Sequence, residues 1–129
     1  MIELLNNIMF VFLLMIFLHI IADFLVQNNF LATYKQKKNW EPYVKEHAGY
    51  KYDYIIVLCV HSFSWSFITF SPLLFICDTK SFGFTVIINT IIHGIIDDFK
   101  CNRLWTNLIA DQLLHLLQIV ITLIVVIYL

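Results

Sequence analysis

Three pairs of ionisable side chains have a spacing that places both members of each pair on one face of a helix. Each pair is a histidine and an aspartate four positions apart, and residues at that spacing are neighbours on a helix surface. The pairs are His19 and Asp23, His93 and Asp97, and Asp111 and His115. Imidazole and carboxylate groups together suit Zn²⁺, Mn²⁺ or Fe²⁺, and they also form proton relays.

The composition indicates that these pairs lie in an integral membrane protein. Of the 129 residues, 60% are hydrophobic and 13% are charged, and the mean hydropathy is +0.81. Soluble domains average ~45–50% apolar and ~25% charged residues, and one small core could not bury so much apolar surface. Disordered chains are rich in charge and poor in aromatic residues, so disorder is excluded too. With a net charge of −1, the chain is not expected to bind nucleic acid.

Four apolar stretches are long enough to cross the hydrocarbon core of a bilayer, which takes about 20 residues in a helix. They cover approximately residues 4–27, 54–77, 82–99 and 108–129, and the third is short. Because lipid offers no hydrogen-bond partners to the backbone, each stretch should be an α-helix. The sequence therefore predicts an all-α fold, a four-helix transmembrane bundle that forms a single domain over residues 1–129.

The basic residues predict an orientation in the membrane. Seven of the eight lie in the loops that follow spans one and three, and Lys80 alone lies on the other side. The seven are Lys35, Lys37, Lys38, Lys45, Lys51, Lys100 and Arg103. Short loops rich in lysine and arginine stay in the cytoplasm. We therefore expect a multi-pass protein of the inner cell membrane, with both termini outside and loops one and three in the cytoplasm.

The depth of the polar residues within the spans groups them into two layers. At 1.5 Å per residue, the four histidines lie roughly 9–12 Å below the cytoplasmic surface, and the three aspartates lie about one turn nearer to it. The fourth histidine is His61, and Val57 stands where its aspartate would be. The repeated His-x-x-x-Asp pattern makes the two hairpins a weak parallel repeat about an axis along the membrane normal. Four helices around that axis would direct all seven side chains into one bundle core.

This arrangement predicts a shared metal site. The candidate metal ligands are His19, Asp23, His61, His93 and His115, the candidate general bases are Asp97 and Asp111, and Gln27, Lys100 and Gln112 are expected to line the site. Either the histidines bind one ion and the aspartates orient them, or both layers bind two ions ~3.5–4 Å apart. A metal-free proton relay and plain hydrogen bonding between helices are the alternatives. Metal binding is favoured because four convergent histidines would repel one another when protonated.

Several ordered motifs extend over nearly the whole chain. They are HIIADFLVQ at 19–27, FLA at 30–32 with Lys35, the histidine at 61, HGIIDDFK at 93–100 and DQLLH at 111–115. In these motifs the chain resembles the domain of unknown function 3307 family of small bacterial and phage membrane proteins. The family pattern is expected to carry another histidine where Val57 stands. The resemblance supports the site but implies no reaction. A looser likeness to membrane-bound metal-dependent hydrolases is an analogy.

Three functions are compatible with these features. The first is an intramembrane metal-dependent hydrolase, in which an activated water attacks a lipid, a lipid-linked headgroup or a membrane peptide. The second is a proton or metal carrier or channel subunit, which would need a homo-oligomer because four helices are few for a carrier. The third is a small phage effector or scaffold that acts on host membrane proteins. Membrane lipids are expected partners in each case.

Overall fold

Six α-helices and the short helical turns between them form most of the chain. The computed structural model describes residues 2–128, and it describes the side chains of residues 6–128. In chain order the helices are α1 (Ile2–Ile21), α2 (Asn29–Tyr34), α3 (Glu41–Glu46), α4 (Asp53–Phe70), α5 (Thr79–Cys101) and α6 (Leu108–Tyr128). No strand occurs within residues 2–128, so the predicted all-α fold is confirmed.

The four long helices form a ring. Helix α1 packs against α4, α4 against α5, α5 against α6, and α6 against α1. Four segments are long and apolar enough to cross a membrane, namely Asn6–Val26, Ala48–Phe75, Thr79–Cys101 and Leu108–Tyr128. Loop one (residues 28–52) and loop three (residues 102–107) meet at one end of the ring, which we call the loop end. The opposite end, where residues 71–78 connect α4 to α5, is called the far end.

The bundle carries apolar side chains outside and many polar side chains inside. Phe10, Phe17, Ile91 and Leu113 are each more than half exposed. In water such a surface would be an aggregation liability, whereas in a bilayer it would contact lipid tails that are equally apolar. Four apolar helices with this surface are compatible with a multi-pass membrane protein.

The third span is longer than the sequence predicted. Helix α5 runs over Thr79–Cys101 rather than 82–99, because a side chain holds each of its ends. Asp78 accepts hydrogen bonds from the backbone N–H groups of Lys80 and Ser81. These bonds and a third from the Ser81 hydroxyl lower the pKa of the exposed Asp78 carboxyl. At the other end, Asp98 accepts from Asn102 Nδ2 at 2.9 Å.

Helix α1 does not continue as a regular α-helix to the end of the first span. Residues Ala22–Val26 form a turn of π-helix, and the N–H of Gln27 donates to the carbonyl of Ala22, five residues earlier, at 3.2 Å. The wider turn changes the angular position of the residues that follow Asp23, including Gln27, relative to regular α-helical spacing. Turns of this kind are frequent at functional sites.

Candidate metal centre

The histidines and aspartates singled out in the sequence come together at the loop end of the bundle. We call them the His/Asp cluster: His19, Asp23, His61, His93, Asp97, Asp111 and His115. Six of these side chains are buried and Asp23 is half-buried. His93 stands near the middle, since its Nε2 lies 3.3 Å from His61 Nε2 and 3.8 Å from Asp97 Oδ1. The next residue, Gly94, allows α4 to approach closely, because a Cβ there would lie 3.1 Å from Ser62 Oγ.

Asp97 is the group with the largest number of partners in the cluster. Its Oδ2 accepts a hydrogen bond from Lys35 Nζ at 2.5 Å and lies 3.2 Å from His61 Nε2. Its Oδ1 lies 3.5 Å from His115 Nε2 and 3.8 Å from His93 Nε2. The carboxylate therefore lies between three histidines and a lysine, with its two oxygens facing different groups.

Asp111 has a simpler environment. Its Oδ2 accepts from Lys100 Nζ at 2.6 Å and from Gln112 Nε2 at 3.3 Å, so Lys100 and Gln112 lie next to the cluster. Its Oδ1 is buried, lies 3.5 Å from His115 Nε2 and accepts no hydrogen bond. One oxygen of this carboxylate thus remains available inside the cluster.

His19 and Asp23 belong to a chain of hydrogen bonds on the α1 side. Trp65 Nε1 donates to His19 Nδ1 at 3.0 Å. Because an indole N–H can only donate, Nε2 must carry the proton of a neutral His19 and donate to Gln112 Oε1 at 3.1 Å. Gln112 Nε2 donates in turn to Asp23 Oδ2 at 2.9 Å. Gln112 therefore lines the site, and both ring nitrogens of His19 have side-chain partners.

Aromatic stacking holds two of the histidines. The Trp65 ring stacks on His93 with centroids 4.0 Å apart and planes at 17°, and His93 stacks on His115 at 4.3 Å and 26°. The sequence interpretation missed Trp65. The signal was present, because Trp65 follows His61 by four residues and so shares its helix face.

Two overlapping groups of side chains have the geometry to hold an ion. His93, Asp97 and His115 form one group, and Asp23, His61 and His93 form the other; within each, the ligand atoms lie within 4.8 Å of one another. His93 belongs to both groups. Because each histidine nitrogen has a single lone pair, one nitrogen of His93 can bind only one ion. Four buried polar atoms of the cluster also accept or donate no hydrogen bond within the described part of the chain: His93 Nδ1, His115 Nδ1, His115 Nε2 and Asp111 Oδ1.

Lys35 lies at the cluster, although the sequence pointed to it only as a basic residue that indicates orientation and as part of a family motif. Although it belongs to loop one, the residue is 6% exposed, with its ammonium on Asp97. Loop three fixes its backbone, because Asn102 Nδ2 donates to the Lys35 carbonyl at 3.3 Å and Asn102 Oδ1 accepts from the Lys37 N–H at 2.7 Å. Turning the Gln27 amide by 180° lets Gln27 Oε1 accept from Lys35 Nζ at 2.9 Å, which brings Gln27 to the site.

A protein-family model described as "Protein of unknown function (DUF3307)" matches residues 10–129. The chain belongs to this family. The expected resemblance is thereby confirmed over nearly the whole sequence. Comparison with curated proteins and with solved structures gives no match.

The match to DUF3307 includes every residue of the His/Asp cluster, together with Lys35, Trp65 and Lys100. Because the function of DUF3307 is unknown, the chemistry of the cluster has to be argued from its own geometry. That geometry is a buried set of imidazoles and carboxylates that could hold a metal ion, with two lysines on the outer carboxylate oxygens.

Proposed function

We propose that this chain is an intramembrane metal-dependent hydrolase of the inner membrane, acting on a lipid or lipid-linked substrate that enters from the cytoplasm. The proposal rests on three buried side chains, those of His93, Asp97 and His115. Their potential ligand atoms lie within 4.8 Å of one another. Mixed imidazole and carboxylate ligands suit Zn²⁺, Mn²⁺ or Fe²⁺. Charged groups are expensive at such depth in a membrane and mark functional sites.

The unpartnered polar atoms support the fit of a cation. His115 Nε2 and Asp111 Oδ1 are buried and lie 3.5 Å apart, and neither forms a hydrogen bond with the described residues. A buried polar atom costs about 1–3 kcal/mol when nothing compensates it. A divalent ion would be coordinated by one ring nitrogen of His115, and the other nitrogen would carry the proton. Metal-binding histidines are usually oriented by a hydrogen bond to the second ring nitrogen. Here, stacking on Trp65 orients His93 and, through it, His115.

The two aspartates that the sequence left as equal candidates for the general base receive different roles. Asp97 has partners on both oxygens and belongs to a candidate ligand group, so we assign it to metal binding. Oδ1 of Asp111 lies beside His115 and accepts no hydrogen bond from the described residues. We therefore assign Asp111 as the general base that accepts a proton from the attacking water. His19 was a candidate ligand in the sequence; we leave it out of the proposed ligand set because both of its nitrogens are hydrogen-bonded, and it would orient Gln112. The ion would supply Lewis-acid polarisation and acidify that water.

A second candidate function is a proton or metal pathway. A set of three hydrogen-bonded side chains lies between the cluster and the far end. Gln118 Nε2 and Thr122 Oγ1 donate to Asn89 Oδ1 at 2.8 and 3.0 Å. The buried hydroxyls of Ser66 and Thr69 have no hydrogen-bond partner among the described residues. Polar groups of this kind would extend a proton or metal relay across the bundle, in a homo-oligomer if more helices are needed. Ion flux through liposomes would favour this function over hydrolysis.

The test is turnover by the purified protein in nanodiscs, loaded with each candidate metal and offered a set of lipids and lipid-linked phosphates. With Asp111→Asn we expect metal content to stay the same and the rate to fall about 10²–10⁴-fold, as for loss of a general base. Asp78→Asn is the matched control, because Asp78 caps α5 at the far end, away from the cluster, and asparagine can keep that cap. Full activity of Asp111→Asn would refute its assigned role, and loss of metal in that variant would make it a ligand.

A further inference from the structure

Lys35 and Lys100 form a pair of cations on the loop side of the cluster. Each aspartate that they contact presents Oδ2 to a lysine, at 2.5 Å for Asp97 and 2.6 Å for Asp111. Each presents Oδ1 to His115, at 3.5 Å in both cases. The site therefore has a histidine side and a lysine side, with the two carboxylates between them.

We infer that Lys35 and Lys100 bind the phosphate group of the substrate at the loop end of the His/Asp cluster. This inference rests on the proposed function and names its substrate class, a phosphate-bearing amphiphile. An ammonium group has three N–H donors. The contacts described for Lys100 Nζ use one of them, on Asp111, and those for Lys35 Nζ use two when the Gln27 amide is turned. Donors remain on both lysines for a ligand.

The charge of the site favours an anion once a cation is bound. Three aspartates and two lysines leave the cluster with one net negative charge when its histidines are neutral. A divalent ion would turn this into one net positive charge, in a medium where charge is costly. A phosphate monoester would compensate that charge, and its oxygens would accept from both lysines. Lysine is a common phosphate-binding side chain in proteins.

Lys100 and Lys35 differ in their exposure to solvent and in how they are held, and both differences fit the entry of a ligand from the loop end. The Lys100 side chain is 31% exposed, whereas that of Lys35 is 8% exposed. The amide of Asn102 connects the backbone of residues 35–37 to the end of α5. An entering headgroup would meet Lys100 first and then Lys35, which loop one holds in place. Asn102 is thus a positioning residue for Lys35.

The experiment measures ligand binding by calorimetry to the metal-loaded protein in detergent, with metal content determined in the same samples. Three probes are compared: inorganic phosphate, short-chain phosphatidic acid and the corresponding uncharged diacylglycerol. Lys100→Met and Lys35→Met should each weaken binding of the phosphate-bearing probe about tenfold or more, since each removes a charge-assisted hydrogen bond. The matched controls are Lys37→Met in loop one and Lys80→Met at the far end, which should bind as the wild type does.

The probes distinguish the source of the phosphate. Binding of phosphatidic acid alone would identify a lipid headgroup, and equal binding of inorganic phosphate would identify the phosphate group alone. Equal binding of diacylglycerol, or unchanged phosphate binding in Lys100→Met, would overturn the inference. If Lys35→Met does not fold, Lys100→Met and Asn102→Ala carry the test. Stoichiometric metal without phosphate binding would refute the inference alone. Lysine-dependent phosphate binding without any metal would refute the metal proposal alone.

Discussion

The far end and the loop end of the bundle are built from the same four helices, but the far end buries a large apolar core and the loop end buries most of the ionisable side chains. Toward the far end, Val11, Phe70 and Leu73 belong to a continuous apolar core that also receives Trp65. At the loop end the helices bury the His/Asp cluster and a lysine from loop one. Helix packing alone explains the burial of the apolar residues at the far end. It does not explain the burial of the ionisable residues at the loop end.

The energetic consequences of the two ends differ. Apolar packing between membrane helices stabilises the bundle through close contact. Charged groups at a helix centre cost ~2.5–3.5 kcal/mol on insertion scales, and the cluster combines three aspartates with Lys35 and Lys100. This cost, together with the His115 nitrogens that form no hydrogen bond with the described residues, is the reason for our proposal that the cluster binds a ligand.

The largest expected effect on stability comes from separating the buried pair of Lys35 and Asp97. Asp97→Ala should lower the free energy of unfolding by about 3–5 kcal/mol, because it leaves a buried ammonium without its carboxylate. Unfolding in mixed detergent and SDS micelles measures the loss. The double variant with Lys35→Met should recover most of it, since both charges are then absent. Asp98→Ala is the control, with ~0–1 kcal/mol expected for a partly exposed pair with Arg103. Equal losses for both aspartates would contradict the special position of Asp97.

A deletion in the apolar core tests the other end. Leu73 is fully buried, so Leu73→Ala should cost about 2–5 kcal/mol of unfolding free energy through lost contacts and the cavity left behind. Metal content should not change, because Leu73 belongs to the apolar core and not to the cluster. The neighbouring Leu74 is 49% exposed, and Leu74→Ala serves as the control with little effect. A loss of metal in Leu73→Ala would show that the two ends are not independent.

A smaller effect is the coupling between two stacked histidines. His93→Ala and His115→Ala should each reduce thermal stability and metal content, and the double variant should lose clearly less than the sum. A double-mutant cycle should give a coupling of about 0.5–3 kcal/mol for residues in one network. The same cycle between His93→Ala and Leu73→Ala should be additive. Additive losses for the two histidines would mean separate helix contacts instead of one centre.

The orientation should be testable without any loss of stability. We expect the loop end to face the cytoplasm because seven of the eight basic residues lie there. In a background without Cys59, Cys77 and Cys101, an impermeant thiol reagent added to intact cells should label Lys80→Cys and not Lys37→Cys. Labelling of Lys37→Cys alone would reverse the orientation and open the site to the outside.

Sequence patterns predicted the bundle and most of the cluster, because both depend on local regularities. Four apolar runs require four helices in lipid, and a spacing of four residues brings His93 to Asp97 on one face. The histidines lie at similar depths in the four spans, so packing of the helices brings their polar faces together. The single-domain extent of the chain stays a prediction.

The features that the sequence did not reveal depend on contacts between distant segments. Lys35 looked like one of several loop lysines, and only the fold brings it to Asp97, 62 positions away. Asn102 belongs to no pattern in the sequence, yet its side chain forms hydrogen bonds with the backbone of loop one. The π-helical turn at Asp23 has no marker in the composition of span one. The different surroundings of Asp97 and Asp111 also required coordinates, since their spacing to a histidine is the same.

The most direct test of the metal centre is the metal content of protein purified in detergent without added chelator, measured by mass spectrometry of the elements. His93 is the residue to change because it belongs to both candidate ligand groups, and His47, exposed in loop one, is the matched control. We predict one divalent transition metal or a pair of them in stoichiometric amount in the wild type and in His47→Ala, and almost none in His93→Ala. A wild-type protein that binds no such metal after incubation with Zn²⁺, Mn²⁺ or Fe²⁺, or a His93→Ala variant that retains it fully, would contradict the metal centre.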